Sequence, residues 1–198
     1  MAEKPRWLPL EANPEVMNKY IKGLGVEDSF QFCDVYGLDP DLLAMVPQPC
    51  TAVVMLFPVT DQSKYLYETH REEEEEKIKK EGQTVSPNVY YMKQYVGNAC
   101  GTVGLLHTLC NNMSTLSVKD GYLKNFFEKT KAMSPEERGR FLEQDEREDH
   151  TNLHFVAIVY QDGYLYELGK DAANVCQKFM IRDPDEIHFT IVALAAAQ

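Results

Sequence analysis

The stretch "LHFVAIVYQDGYLYEL", residues 153–168, constrains the fold of this chain more than any other. Two runs of β-branched and aromatic residues meet at Asp162-Gly163, and an Asp-Gly pair at such a junction supplies the positive φ angles of a tight two-residue turn. This predicts an antiparallel hairpin, and a hairpin needs further strands before it can bury a face. Those strands are available: "TAVVMLFPV" reads as a buried strand over 51–57, "SFQFCDVYG" as a strand or loop-strand, and "HFTIVAL" as a last strand.

Helical patterns separate them. Asn13-Pro14-Glu15 offers an N-cap followed by proline in the first helical position, and Val16, Met17, Tyr20, Ile21 and Leu24 then recur at helical spacing until Gly23 and Gly25 end the pattern. Tyr122, Leu123, Phe126 and Phe127 form one apolar helix face, and Ser134, Pro135 and Glu137 open another helix with a capping-box arrangement. Val175, Cys176, Phe179 and Met180 mark a further helix, while "HREEEEEKIKK" reads as a solvated helix face or a loop. Together these elements predict an α+β fold, a mainly antiparallel central sheet flanked by helices.

At 198 residues and 44% hydrophobic content, residues 1–198 fit one domain. The chain has no apolar run of about 18 residues to span a bilayer, and "MAEKPRWLPLEANPE" has no apolar leader, so a cytoplasmic monomer able to enter the nucleus passively is expected. Five cysteines without CxxC pairs support neither a disulfide framework nor a zinc site. No HExxH or similar spacing supports another metal, and no cofactor is implied. A net charge of −11 argues against nucleic-acid binding and favours a basic protein or peptide as partner.

The chemistry gathers in "QYVGNACGTVGLLH". Asn98 reads as an N-cap and places Cys100 in the first turn of a helix, where unpaired N–H groups and the positive end of the dipole favour a thiolate. Gly97, Ala99, Gly101 and Gly104 would let an extended substrate backbone approach, and would equally allow close helix–sheet packing. A cysteine nucleophile needs a base and an oxyanion donor. Gln94, six positions earlier, can supply a side-chain N–H, and His154 opens the strand "LHFVAIV" as a polar residue among apolar ones. His107 is a competing base, but it sits two helical turns beyond Cys100 and points along the helix. Taken alone, Cys100 and His154 each read more readily as buried structural residues than as catalytic ones.

These segments resemble the ubiquitin C-terminal hydrolase family, papain-like cysteine deubiquitinases, and specifically its short single-domain members. "RWLPLEANPEVMNKYIKGLG", "DVYGLDPDLLAMVPQP", "QYVGNACGTVGLLH", "MSPEERGRFLE", "NLHFVAIVYQDGYLYEL" and "CQKFMIRDPDEIHFTIVALAA" occur in the family's order and cover nearly the whole chain. The resemblance implies a papain-like α/β domain with a knotted backbone, and it assigns Cys100 as nucleophile, Gln94 as oxyanion donor and His154 as base. It further implies that ubiquitin, or a ubiquitin-like modifier, is held by Pro9, Leu10, Glu11, Glu15, Asp34 and Phe189. The activity implied is hydrolysis of ester, thioester or (iso)peptide adducts at ubiquitin's C-terminal glycine, with small or flexible leaving groups preferred.

Two departures stand out. The family's second hairpin strand runs into an aspartate that orients the histidine, whereas "LYELGKDAANVC" has Gly169 there and Asp171 two positions on. The segment 143–152 is also shorter than the family's crossover loop, as 169–171 is shorter than its post-hairpin segment. A low-activity protein that binds or sequesters ubiquitin is therefore the alternative reading.

Overall fold

The computed structural model describes residues 10–58, 76–82, 85–144, 153–162, 164–166, 176, 180–181 and 188–197. In chain order the elements are α1 (Pro14–Gly23), β1 (Phe30–Asp34), α2 (Pro40–Leu43), β2 (Cys50–Pro58), α3 (Cys100–Asn111), α4 (Tyr122–Thr130), α5 (Pro135–Glu143), β3 (Leu153–Gln161), β4 (Tyr164–Tyr166) and β5 (Thr190–Ala196). Residues 76–81 are also helical and fully on the surface, with Glu76 and Lys80 paired one turn apart.

The strands form one five-stranded sheet in the order β1-β5-β2-β3-β4, and every pair is antiparallel. Its α+β architecture, with helices flanking an antiparallel sheet, is the one the hairpin and the helical periodicities predict. The last strand, β5, enters between β1 and β2, so Val192 lies across from Asp34 on one side and Val54 on the other.

Both faces of the sheet are covered, which explains why the strands read as near-continuous apolar runs rather than strict alternations. One face presents Phe30, Phe32, Ala52, Val54, Leu56, Val159, Val192 and Leu194 to a core shared with Met17 and Ile21 of α1, Leu105, Leu106 and Leu109 of α3, and Leu123 and Phe126 of α4. The other face presents Met55, Phe57, Ile158 and Ile191 to Cys176, and Ala193 and Ala195 to Val46.

The predicted caps are present. Asn13 Oδ1 accepts from the N–H groups of Glu15 and Val16, with Pro14 in the first turn, and Ser134 and Glu137 form a reciprocal capping box at α5. Gly25 carries φ +101° in the turn that follows α1, a conformation other residues rarely adopt. At the hairpin, Asp162 takes φ +48°, and its carboxylate accepts from Ser86 Oγ and from Asn88 Nδ2. The turn is thereby tied to the segment leading into the α3 region.

Two elements differ from the sequence reading. β5 runs Thr190–Ala196 rather than 188–194, because its pairing with β2 begins at Leu56 and continues through the small residues Ala193 and Ala195. The short helix α2 was not predicted: four residues are too few for a periodicity to register. Of the helix predicted around Val175 to Met180, Cys176 and Met180 are helical, and the remainder lies outside the described residues.

Candidate active site

Cys100 is the first residue of α3 and only 9% exposed. The helix-start geometry departs from the sequence reading: Ala99, not Asn98, is the N-cap, and no side chain caps the helix. The reason lies in the backbone, since Asn98 takes the left-handed conformation at φ +57°, which asparagine tolerates and which delays the helix by one residue. The first intrahelical bond is Val103 N–H to Ala99 O at 2.8 Å. The N–H groups of Cys100, Gly101 and Thr102 therefore belong to the helix start, where backbone donors and the positive dipole end coincide.

Gln94 is exposed, and its Nε2 donates to Val96 O at 3.0 Å. An amide nitrogen carries two hydrogens, and this bond uses one. Its position relative to Cys100 follows from the segment preceding it, which is pinned along one stripe of α3. Asn111 accepts from Tyr90 N–H and donates to Tyr90 O, both at 2.8 Å; four residues back toward Cys100, His107 Nε2 accepts from Met92 N–H at 3.0 Å. Four helical residues rise about 6 Å, and two extended residues advance about as far. The same step carried one stage further would set Gln94 level with the first turn of α3, the turn that opens with Cys100.

The far side of this segment rests on α5. Lys93 N–H donates to Pro135 O at 2.9 Å, the Lys93 ammonium pairs with Glu136, and the Arg140 guanidinium lies 3.8 Å from the centre of the Tyr95 ring. The approach at Gly139 is so close that an ideal Cβ there would fall 1.9 Å from Lys93 O.

His154 is the second residue of β3, the strand on which α3 chiefly packs. Its register partner is Phe57, and the His154 side chain lies outside the described residues. Gly169 and Asp171 and the segment 145–152 also lie outside them.

Several other candidates converge on one end of the sheet. β1 ends at Asp34, β5 begins at Thr190 just after Phe189, β2 ends at Pro58 and β3 begins at Leu153, and the ladders set these ends side by side. Asp34 is exposed and Phe189 is half-buried against the Met55–Phe57 cluster. α1 is pinned at its middle to the middle of β1 by Asn18 and Phe32, and the chain reverses between the two. The exposed Glu15 and Glu11 consequently lie toward the Asp34 end, and Leu10 packs on the core beside them. Pro9 lies outside the described residues.

His107 is a structural residue rather than a base. Burial, reinforced by the Arg138 charge, pushes its imidazole down to about 4, and its ring stacks on Tyr91 at 5.3 Å. Nearby, burial pushes the Cys110 thiol up to about 12 and also raises Tyr90, whose hydroxyl lies 2.7 Å from Thr130 Oγ1. This buried polar network was not recognised from sequence. The signal was present: His107 and Asn111 are polar, spaced by four, and lie on the stripe of α3 that runs through Cys100. Among the described residues no group of three or more His, Cys, Asp or Glu side chains could hold a metal, and no helix is long and apolar enough to cross a membrane.

A family model described as ubiquitin carboxyl-terminal hydrolase, family 1, matches residues 7–179. The chain belongs to that family of cysteine-type hydrolases. It is 42% identical to a Drosophila melanogaster ubiquitin carboxyl-terminal hydrolase over 228 residues, covering 97% of this chain and 98% of the relative. It is 39% identical to the Homo sapiens isozyme L1 over 224 residues, covering 96% of this chain and 98% of that protein. Both alignments are longer than the 198 residues of this chain, so these relatives carry stretches without a counterpart here. The fold is similar to that of the Trichinella spiralis UCH37 catalytic domain bound to ubiquitin vinyl methyl ester, with a TM-score of 0.71 at 19% identity over 98% of this chain and 96% of that one.

Proposed function

We propose that this chain is a thiol-dependent deubiquitinase, a single catalytic domain that hydrolyses ester, thioester or (iso)peptide adducts at the C-terminal glycine of ubiquitin. The observation that supports the reading is Cys100 as the first residue of α3, with the segment leading to Gln94 bonded along that helix at Tyr90 and Met92, in a chain belonging to this family. His154 takes the proton from Cys100 Sγ, and the thiolate attacks the glycine carbonyl carbon. The negative charge that develops on the carbonyl oxygen is met by the Cys100 backbone N–H and the second N–H of Gln94 Nε2. The leaving group departs with the proton from His154, and a water molecule, deprotonated by the same histidine, then cleaves the thioester to release free ubiquitin and the thiol.

Recognition falls to the sheet end where Glu11, Glu15, Asp34 and Phe189 gather, together with Pro9 and Leu10 beside α1. Carboxylates there suit the arginines of ubiquitin's C-terminal tail, and a ubiquitin-like modifier with a similar tail would meet the same surface. Small or flexible leaving groups are preferred.

The surplus length of the relatives' alignments, with Gly169 at the position of the orienting aspartate, favours a second reading: a ubiquitin-binding protein with little turnover, since loss of that carboxylate costs orders of magnitude in rate. Intact-mass spectrometry after incubation with ubiquitin carrying a C-terminal thiol-reactive group separates the two. A single adduct at Cys100 together with turnover of a ubiquitin adduct supports the hydrolase. Binding without turnover supports the second reading, and neither adduct nor binding overturns both.

A further inference from the structure

The side chain of Arg138 on α5 is only 9% exposed, and all three of its guanidinium nitrogens donate to backbone carbonyls. Nε donates to Thr130 O at 3.1 Å, Nη2 to Lys131 O at 2.8 Å and Nη1 to Tyr91 O at 2.9 Å, while the guanidinium carbon sits 4.2 Å from the centre of the Tyr90 ring. Burying a cation is expensive, and an apolar side chain of similar volume would fill the same space at lower cost. What an apolar residue cannot do is join three chain segments. Thr130 and Lys131 end α4, where carbonyls lack intrahelical partners and a cation is favoured. Tyr91 belongs to the segment that carries Gln94.

The bonds along that segment alternate between two supports. Tyr90 N–H and O and Met92 N–H go to Asn111 and His107 on α3; Tyr91 O and Lys93 N–H go to Arg138 and Pro135 on α5. The α3 bonds set how far the segment extends toward Cys100. The Arg138 bond holds it down from the other side, three residues before Gln94.

We propose that Arg138 is a positioning residue for the oxyanion donor: through Tyr91 O and the Tyr90 ring it fixes the segment bearing Gln94 against the helix that begins at Cys100. The inference rests on Gln94 having the role given to it above. It assigns a catalytic consequence to a buried cation that touches neither substrate nor nucleophile.

The test is a double-mutant cycle on the full chain, read as kcat and KM for ubiquitin carrying a C-terminal fluorogenic amide. Arg138→Met is expected to lower kcat by about ten- to a hundredfold through misplacement of the donor, with KM nearly unchanged, because the recognition surface lies elsewhere. In a Gln94→Ala background the same substitution is expected to have little further effect on kcat, which a generally structural role would not produce. Unchanged kcat in a folded Arg138→Met protein, or losses that simply multiply, would overturn the proposal. If Arg138→Met does not fold, Arg138→Lys keeps the charge but cannot span the three carbonyls, and the same cycle applies; a chain that folds with neither substitution also overturns it. Failure of Gln94→Ala alone to lower kcat sinks the role assigned to Gln94, whereas additivity with an active Gln94 sinks only the role assigned to Arg138.

Discussion

The backbone N–H of Met92 donates to Nε2 of His107 across 3.0 Å, so that nitrogen must be unprotonated for the segment and the helix to stay joined. The group's folded value is lowered to about 4 from 6.5, first by burial. The unfolded chain therefore binds this proton more readily than the folded one. Its contribution is complete above the unfolded value, and is lost as pH falls from there through the folded value. Integrated over the whole window it amounts to about 3 kcal/mol. Urea unfolding of the wild type and His107→Gln at pH 7.5, 6 and 5 checks this. The variant should be less stable at pH 7.5 and should lose less stability on acidification; parallel curves would remove His107 as the source.

Asn18 presents its side-chain amide to β1 as a neighbouring strand would, accepting from Phe32 N–H at 2.7 Å and donating to Phe32 O at 2.9 Å. β1 is an edge strand, and this pairing covers part of its open hydrogen-bonding side. Asn18→Leu should destabilise the fold by about 1–3 kcal/mol and increase concentration-dependent aggregation. Chemical denaturation combined with light scattering tests both, and a variant unchanged in each would show the edge to be protected by other means.

The Ser134 hydroxyl accepts from the third residue of α5. Removing it in Ser134→Ala should cost about 1 kcal/mol. Because α5 supports the Gln94 segment, the same substitution should speed hydrogen exchange at Lys93 N–H, which donates to Pro135 O. Exchange that accelerates only within α5 would show that the helix and the segment are not coupled.

With a net charge of −11 and Glu11, Glu15 and Asp34 directed to one end of the sheet, association with a basic tail should be steered electrostatically. Raising sodium chloride from about 50 to about 500 mM shortens the screening length severalfold, and KM for a ubiquitin adduct should rise while kcat changes little. A KM indifferent to salt would argue for apolar recognition centred on Leu10 and Phe189.

Most of the fold was legible because it is written in local chemistry. Asn13-Pro14, the Ser134 to Glu137 box and the turn residue Asp162 each solve a problem confined to a few residues, and each appears where the sequence placed it. The strand order was not legible, since both sheet faces are buried and an apolar run does not name its neighbour. Cys100 was readable as a helix-start thiol, but the shift of the cap from Asn98 to Ala99 depends on a single backbone angle. The support beneath Gln94 was hidden for a different reason: Arg138 and Tyr91 meet only after α5 has folded back across the chain, and no spacing in the sequence encodes that contact.

The insertion of β5 between β1 and β2 bears on how the molecule is made. Synthesis proceeds from the N-terminus, so β1 leaves the ribosome early and waits, one side open, for the strand produced last among those described. Until Thr190–Ala196 emerges, β2 and β3 can pair, but the sheet end that gathers Asp34 and Phe189 does not exist. A nascent chain of this topology thus carries the Cys100 helix well before its sheet is complete, and the ribosome imposes a built-in delay between forming that helix and closing the sheet end that Asp34 and Phe189 mark.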